Sequence, residues 1–159
     1  MNDNENGSQS PMYPLLDAYA EIVVPNDARR IQTCFRFGRA LLEKSPTDLS
    51  EKQIAARLAK ATGLPRLWFR NSRLMAENIA PREFRSWMRL AKENDFLLTF
   101  PHLRQLIRVA NPKDRQDLLN CCLEERLTSE ELLERVEEVL ILDELLEKLA
   151  MEEQEESEA

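Results

Sequence analysis

A short stretch of arginine and asparagine residues has the chemistry needed to bind nucleic acid. It contains Arg66, Arg70, Asn71 and Arg73. An arginine guanidinium can bind a guanine edge or a phosphate, and an asparagine amide can pair with adenine. A helix-turn-helix presents such side chains on its second helix, which enters the major groove of DNA. We therefore predict nucleic-acid contacts here; the alternative is an ordinary helical hairpin whose arginines are solvated.

The helix-turn-helix prediction depends on the segment 49–75, in which a glycine separates two helical patterns. Gly63 stands at the turn, and Ala59 is small enough to let two helices cross closely. The match to the motif is incomplete, because Thr62 and Ser72 occupy positions that are usually apolar. The segment therefore predicts a helix-turn-helix-like unit that must accommodate two hydroxyl side chains.

A second basic set follows on the next predicted helix. Its members are Arg82, Arg85, Arg89 and Lys92. They are spaced three, four and three residues apart, so they share one face of a helix. Such a stripe can follow the phosphates of a nucleic acid. The alternative is a normal charged helix face in contact with water.

The distribution of charge favours a polyanionic partner. The net charge of the whole chain is -7. Residues 28–116, however, carry nineteen Lys or Arg against eight Asp or Glu, which is a net charge of +11. Residues 1–27 carry a net charge of -5, and residues 117–159 carry -13. The chain therefore has a basic body and an acidic C-terminal section, and partners respond to these local fields.

Residues that could perform catalysis or bind metal do not form a recognisable set. His102 is the single histidine, and Cys34, Cys121 and Cys122 lack the spacing of a zinc site. No lysine has an acidic residue two positions before it, and glycine-rich phosphate loops and nucleophile elbows are absent. We therefore expect a protein that is not an enzyme and needs neither a metal nor a cofactor.

Helical signals position all of these residues. The chain has only 3 glycines and no segment of strict polar and apolar alternation, which argues against sheets. Asn26 is predicted to cap a helix from Asp27, and capping boxes are predicted at Ser50 with Gln53 and at Thr128 with Glu131. We predict an all-α, compact multi-helix domain of seven or eight helices.

The predicted C-terminal helix carries apolar residues beyond the expected body of the protein. These are Leu142, Leu145, Leu146 and Leu149. The helix can pack on the body, pair with a copy of itself or with another protein, or place its acidic face on the basic body and compete with nucleic acid. Asp143 interrupts one heptad register, which weakens the prediction of a coiled coil.

The composition predicts four segments. Residues 1–12 form a disordered arm, residues 13–138 a helical domain, residues 139–151 an extension of the C-terminal helix, and residues 152–159 an acidic disordered tail. The polar and acidic N-terminal residues are not typical of a secretory signal, so we expect none; no apolar run is long enough for a bilayer, and three cysteines are too few for a disulfide scaffold. We therefore expect a cytoplasmic protein without membrane contact.

The segments 98–115 and 127–136 resemble the helical N-terminal domain of a bacterial family of unknown function. In that family the domain usually precedes a PD-(D/E)XK-type nuclease domain. The matching residues in the first segment are His102, Leu103, Arg104, Leu106, Ile107, Pro112 and Arg115. Phe100 replaces a family tryptophan, and an acidic helix stands where the nuclease domain would follow. The resemblance implies a DNA-associated helical domain linked to mobile-element or defence functions, and it transfers no catalytic residue.

Two functions follow as hypotheses. The first is a non-enzymatic DNA-binding or DNA-associated accessory protein that binds duplex DNA through its basic body. The alternative is an adaptor or oligomerisation module that binds a protein partner, or a second copy as a homodimer, through the acidic leucine-rich helix.

Overall fold

A computed structural model describes residues 10–158 of the protein, and within them it contains helices and no strand. The described helices are α1 (Tyr13–Ile22), α2 (Ile31–Lys44), α3 (Glu51–Thr62), α4 (Arg66–Asn78), α5 (Pro81–Glu93), α6 (Phe100–Leu106), α7 (Pro112–Glu125) and α8 (Ser129–Glu158). The all-α prediction is therefore confirmed, and the expected number of helices agrees with the eight that the described residues form.

The chain divides into two compact units, with the boundary between Glu83 and Phe84. The first unit contains α1 to α4, and the second contains most of α5 and all of α6 to α8. This boundary falls inside the segment 13–138, which we predicted as one helical domain. The boundary lies inside α5, so no linker rich in glycine, proline or polar residues marks it in the sequence.

The core of the first unit is built around aromatic residues of α2 and α4. Phe37 and Phe69 are buried, and their ring centroids are 5.7 Å apart in an edge-to-face arrangement. Gly38 lets the two helices approach closely, because a Cβ atom there would collide with the backbone carbonyl of Ser72. Trp68 packs against both of these rings. Its Nε1–H donates to the Ala28 carbonyl at 2.8 Å.

Local signals at several helix ends agree with the sequence-based expectations. The Ser50 hydroxyl accepts from the Gln53 backbone N–H at 3.2 Å, and the Gln53 side chain accepts from the Ser50 N–H at 2.9 Å. This reciprocal pair confirms the predicted capping box at the start of α3. Gly63 ends the helix with φ 84°, a left-handed conformation that favours glycine.

The start of α2 differs from the prediction. Instead of beginning at Asp27 with Asn26 as its cap, the helix begins at Ile31. The Asp27 carboxylate accepts from the Arg29 backbone N–H at 2.9 Å, and the Asn26 amide donates back to the Ile22 carbonyl at 2.7 Å. Both polar side chains therefore stabilise the connection between α1 and α2. As a result, α2 begins about one helical turn later than predicted.

The second unit is held together by α6, α7 and α8. Leu132 and Val136 of α8 are fully buried. His102 on α6 links two segments, since its Nε2 lies 3.0 Å from the Leu127 carbonyl and its Nδ1 lies 2.8 Å from the Thr99 hydroxyl. An Nε2–H that donates to the carbonyl leaves Nδ1 as the acceptor for Thr99. His102 therefore acts as a buried structural residue in this unit.

Two predictions for the chain ends need correction. Residues 1–9 of the predicted disordered arm lie outside the described residues, but Met12, assigned to the same arm, is 4% exposed and belongs to the core. The acidic segment from residue 152 was expected to be disordered, yet α8 continues to Glu158. Glutamate favours helix, and no glycine or proline interrupts this segment, so composition typical of disorder coexists with helical structure.

Candidate functional site

Helices α3 and α4 and the turn between them form the candidate helix-turn-helix. The turn consists of residues 63–65, and α4 packs against both α2 and α3. The two hydroxyl residues at usually apolar positions are satisfied locally. The Thr62 hydroxyl donates to the Leu58 carbonyl at 2.7 Å, and the buried Ser72 hydroxyl donates to the Trp68 carbonyl at 2.8 Å. Both hydroxyl groups therefore have a hydrogen-bond partner, although the motif usually has apolar residues at these positions.

The outer face of α4 presents two unpaired arginines. Arg66 and Arg70 are exposed and lie one helical turn apart, so they share a face. Neither guanidinium takes part in an ion pair with any residue of the described chain. Asn71 is partly buried at the side of this face. The two arginines are therefore available to bind an anion.

Arg73 has a different environment from the other predicted contact residues. Its Nε atom lies 3.0 Å from the carboxylate of Glu51 on α3 and 2.7 Å from that of Glu77 on α4. The side chain is 23% exposed. A guanidinium between two carboxylates connects α4 to the start of α3. We therefore assign Arg73 to holding the two helices together and remove it from the candidate contact set.

The basic residues of α5 lie together along one side of the helix. Arg82, Arg85, Arg89 and Lys92 are all exposed. Arg89 lies 3.9 Å from Glu93, and both side chains are more than half exposed, so water screens this pair strongly. The buried side of α5 carries Phe84, Trp87 and Ala91. The arrangement is that of an amphipathic helix with a cationic outer face.

The outer part of α8 carries an exposed apolar stripe, which we define as Ile141, Leu142, Leu145, Leu146 and Leu149. Their exposed fractions lie between 52% and 58%. At about 100° per residue, the stripe is centred roughly 130° around the helix axis from the buried Leu132 and Val136. The helix therefore uses one face to pack on its own unit and a different face for the stripe.

The thiols show no sign of activation. Burial raises the pKa of Cys34 to about 11 and that of Cys122 to about 11. Cys121 donates to the Glu125 carboxylate at 2.8 Å, and this hydrogen bond to an anion raises its pKa. A nucleophilic cysteine requires the opposite shift. Among the described residues, no group of His, Cys, Asp and Glu side chains is arranged to hold a metal ion.

Two candidate residues were not selected from the sequence. Leu67 follows Arg66 on α4 and is 63% exposed, although its apolar type suggested a core position. Ile141 extends the α8 stripe by one residue and is 58% exposed. The signal for both is their angular position, because each lies on the side of its helix opposite the fully buried residues.

Comparisons of the chain with protein-family models, with curated proteins and with solved structures found no match. In the part of the chain that the structure describes, no helix combines the length and apolar character needed to cross a lipid bilayer.

Proposed function

We propose that this protein is a non-enzymatic DNA-binding or DNA-associated protein that places α4 in the major groove. One observation carries the proposal: Arg66 and Arg70 are exposed and unpaired on the outer face of a helix that follows a three-residue turn. Their spacing of four residues separates them by about 6 Å along the helix axis, which suits contacts with neighbouring bases or phosphates.

Other residues supply complementary contacts in this proposal. The exposed Leu67 side chain provides an apolar group for a thymine methyl, and Asn71 provides an amide at the edge of the same helix. The α5 stripe, considered separately, supplies phosphate contacts that carry no sequence information. The resemblance to a nuclease-associated helical domain agrees with this function and stays a prediction.

The test is fluorescence anisotropy of a labelled random-sequence duplex at several salt concentrations, with the full chain. The double variant Arg66→Ala/Arg70→Ala is compared with Arg104→Ala/Lys113→Ala, which removes the same charge from exposed positions outside the candidate set. We expect the first variant to weaken binding by roughly tenfold or more and to lower the salt slope by about two.

Two results would contradict the proposal. The first is the absence of binding by the unmodified chain even at low salt. The second is an equal loss of affinity in the two double variants, which would show that total charge matters and the outer face of α4 does not.

A second candidate function is a protein-interaction module that acts through α8. The observation that favours it is the stripe of five large aliphatic side chains, each more than half exposed. Contiguous apolar surface of this kind on an otherwise charged helix is typical of a protein-binding site. Sedimentation tests this function by measuring whether the chain associates with itself and whether it binds a helical peptide. Either kind of contact would have to involve Leu145, at the centre of the stripe.

A further inference from the structure

The stripe on α8 has the dimensions of a short helix-binding face. Its residues lie at positions i, i+1, i+4, i+5 and i+8, which produce a continuous apolar strip about 12 Å long. The four leucines and Ile141 are each more than half exposed. A partner helix packed along this strip would remove these side chains from water in the way that helix-in-groove recognition does.

Carboxylates continue the same face beyond both ends of the stripe. They are Glu134 and Glu138 before it, and Glu152, Glu153 and Glu156 after it. All five are exposed, and none takes part in an ion pair with a described residue. The neighbouring cations are already engaged, since Arg135 lies 3.3 Å from Glu125 and Lys148 lies 3.5 Å from Glu144. The acidic ends of the face therefore lack cationic partners.

The acidic residues also oppose the dipole of their own helix. The C-terminal end of a helix carries partial negative charge, and glutamates in its last turns are unfavourable there. α8 ends with Glu152, Glu153, Glu155, Glu156 and Glu158. Cations placed beside these turns would interact favourably with the carboxylates and with the dipole.

A second copy of this chain does not provide such cations. In a parallel pair, the acidic ends of the two stripes would lie side by side. In an antiparallel pair centred on Leu145, Glu152 of one copy would approach Glu138 of the other. Both orientations bring like charges together in a dimer whose apolar contact is only about two turns long.

We propose that the outer face of α8 binds a basic amphipathic helix of another protein. This inference rests on the second candidate function and names the partner's chemistry. The partner helix has an apolar face of about two turns, and it carries Lys or Arg beyond each end of that face. The two cationic ends are separated by roughly 21 Å, the distance along the axis between Glu138 and Glu152.

The experiment uses the full chain and two synthetic helical peptides of about 21 residues, the length that places side chains beyond both ends of the stripe. Both peptides carry leucines along one face; one has lysines at each end and the other has glutamines there. Isothermal titration calorimetry measures binding at low and high salt. We expect the lysine peptide to bind with one-to-one stoichiometry, at least tenfold more tightly than the glutamine peptide, and to weaken with salt.

Three variants locate the binding face. Leu145→Asp should weaken binding by at least tenfold, and Glu152→Gln/Glu153→Gln should weaken the lysine peptide without changing the glutamine peptide. Met151→Asp is the matched control, since Met151 is 66% exposed and lies away from the stripe. All these positions are exposed, so we expect thermal unfolding to be unchanged.

The outcomes separate the inference from the function on which it rests. Equal binding of both peptides would overturn the basic partner and keep an interaction module. Self-association of the unmodified chain that Leu145→Asp abolishes would also overturn it and assign the face to a homodimer. Absence of both peptide binding and self-association would overturn the inference and the second candidate function together.

Discussion

Gly38 is a position where the packing of two helices leaves no space for a side chain. It lies on α2 at the crossing with α4, where an added Cβ atom would overlap the Ser72 carbonyl and lie 3.0 Å from the Ala76 Cβ. Both obstacles belong to α4, and one of them is backbone. We therefore expect Gly38→Ala to force α4, the helix that carries Arg66 and Arg70, away from α2.

Two effects of opposite sign decide the size of the change. Alanine is favoured over glycine inside a helix by about 1 kcal/mol, so the substitution would stabilise α2 if there were space. Inserting a methyl group into a filled interior costs about 1–3 kcal/mol, and more where backbone must move. Because a carbonyl of α4 is the obstacle, we expect the clash to dominate and the net loss to be about 2 kcal/mol.

Circular dichroism during thermal unfolding measures this loss. For a unit of this size, about 2 kcal/mol corresponds to a fall of roughly 8–16 °C in the melting temperature. Gly63→Ala is an informative control, because an added Cβ there meets no atom within 4 Å and only its positive φ is unfavourable. An unchanged or higher melting temperature for Gly38→Ala would refute the close approach of α2 and α4.

Three further predictions follow from the described contacts. Arg73→Ala should lower the melting temperature by several degrees, because it removes the link to Glu51, whereas Arg66→Ala should leave melting unchanged and weaken duplex binding. Burial raises the pKa of Cys34 and Cys122 to about 11 from 9.0, so the folded state favours the neutral thiols. Their stabilising effect is complete below about pH 9 and is lost as the pH rises towards 11; denaturation midpoints should fall across this range, and less steeply in Cys34→Ala. Replacing the glutamates of the last turns of α8 by glutamine should tighten duplex binding at low salt alone, and an equal change at high salt in the anisotropy assay would exclude charge repulsion as its cause. These glutamates are Glu152, Glu153, Glu155, Glu156 and Glu158.

Sequence patterns predicted the helices well where the signal was local. The capping box at Ser50 and the left-handed Gly63 each act within a few residues of the helix end that they specify. The start of α2 was misassigned because Asp27 can cap a helix or stabilise a turn, and both uses have the same local sequence. In the structure the Ala28 carbonyl of this turn accepts from Trp68, a contact that no local pattern reveals.

The candidate contact set could be predicted only in part. Arg66, Arg70 and Arg73 are chemically identical, and all three fall near one side of α4. Two carboxylates separate Arg73 from the others. Glu77, four residues later on the same helix, can be read from the sequence, whereas Glu51 lies twenty-two residues earlier and reaches Arg73 through the packing of α3 on α4. The pair with Glu77 fits the i,i+4 spacing, but the long-range pair with Glu51 leaves no periodic signal, so sequence reasoning does not reveal the link between α3 and α4.

α8 shows why composition and structure diverged at the C-terminal end. High acidic charge and low apolar content are typical of disorder because they prevent burial, and the last residues of α8 are indeed exposed. A helix, however, needs backbone hydrogen bonds and suitable propensity, and glutamate supplies the latter without any burial. The carboxylates that keep this segment in water also repel one another along the helix and oppose its dipole. A cationic partner would relieve both effects at once, so the same residues that made the segment resemble a disordered tail give its outer face a preference for basic ligands.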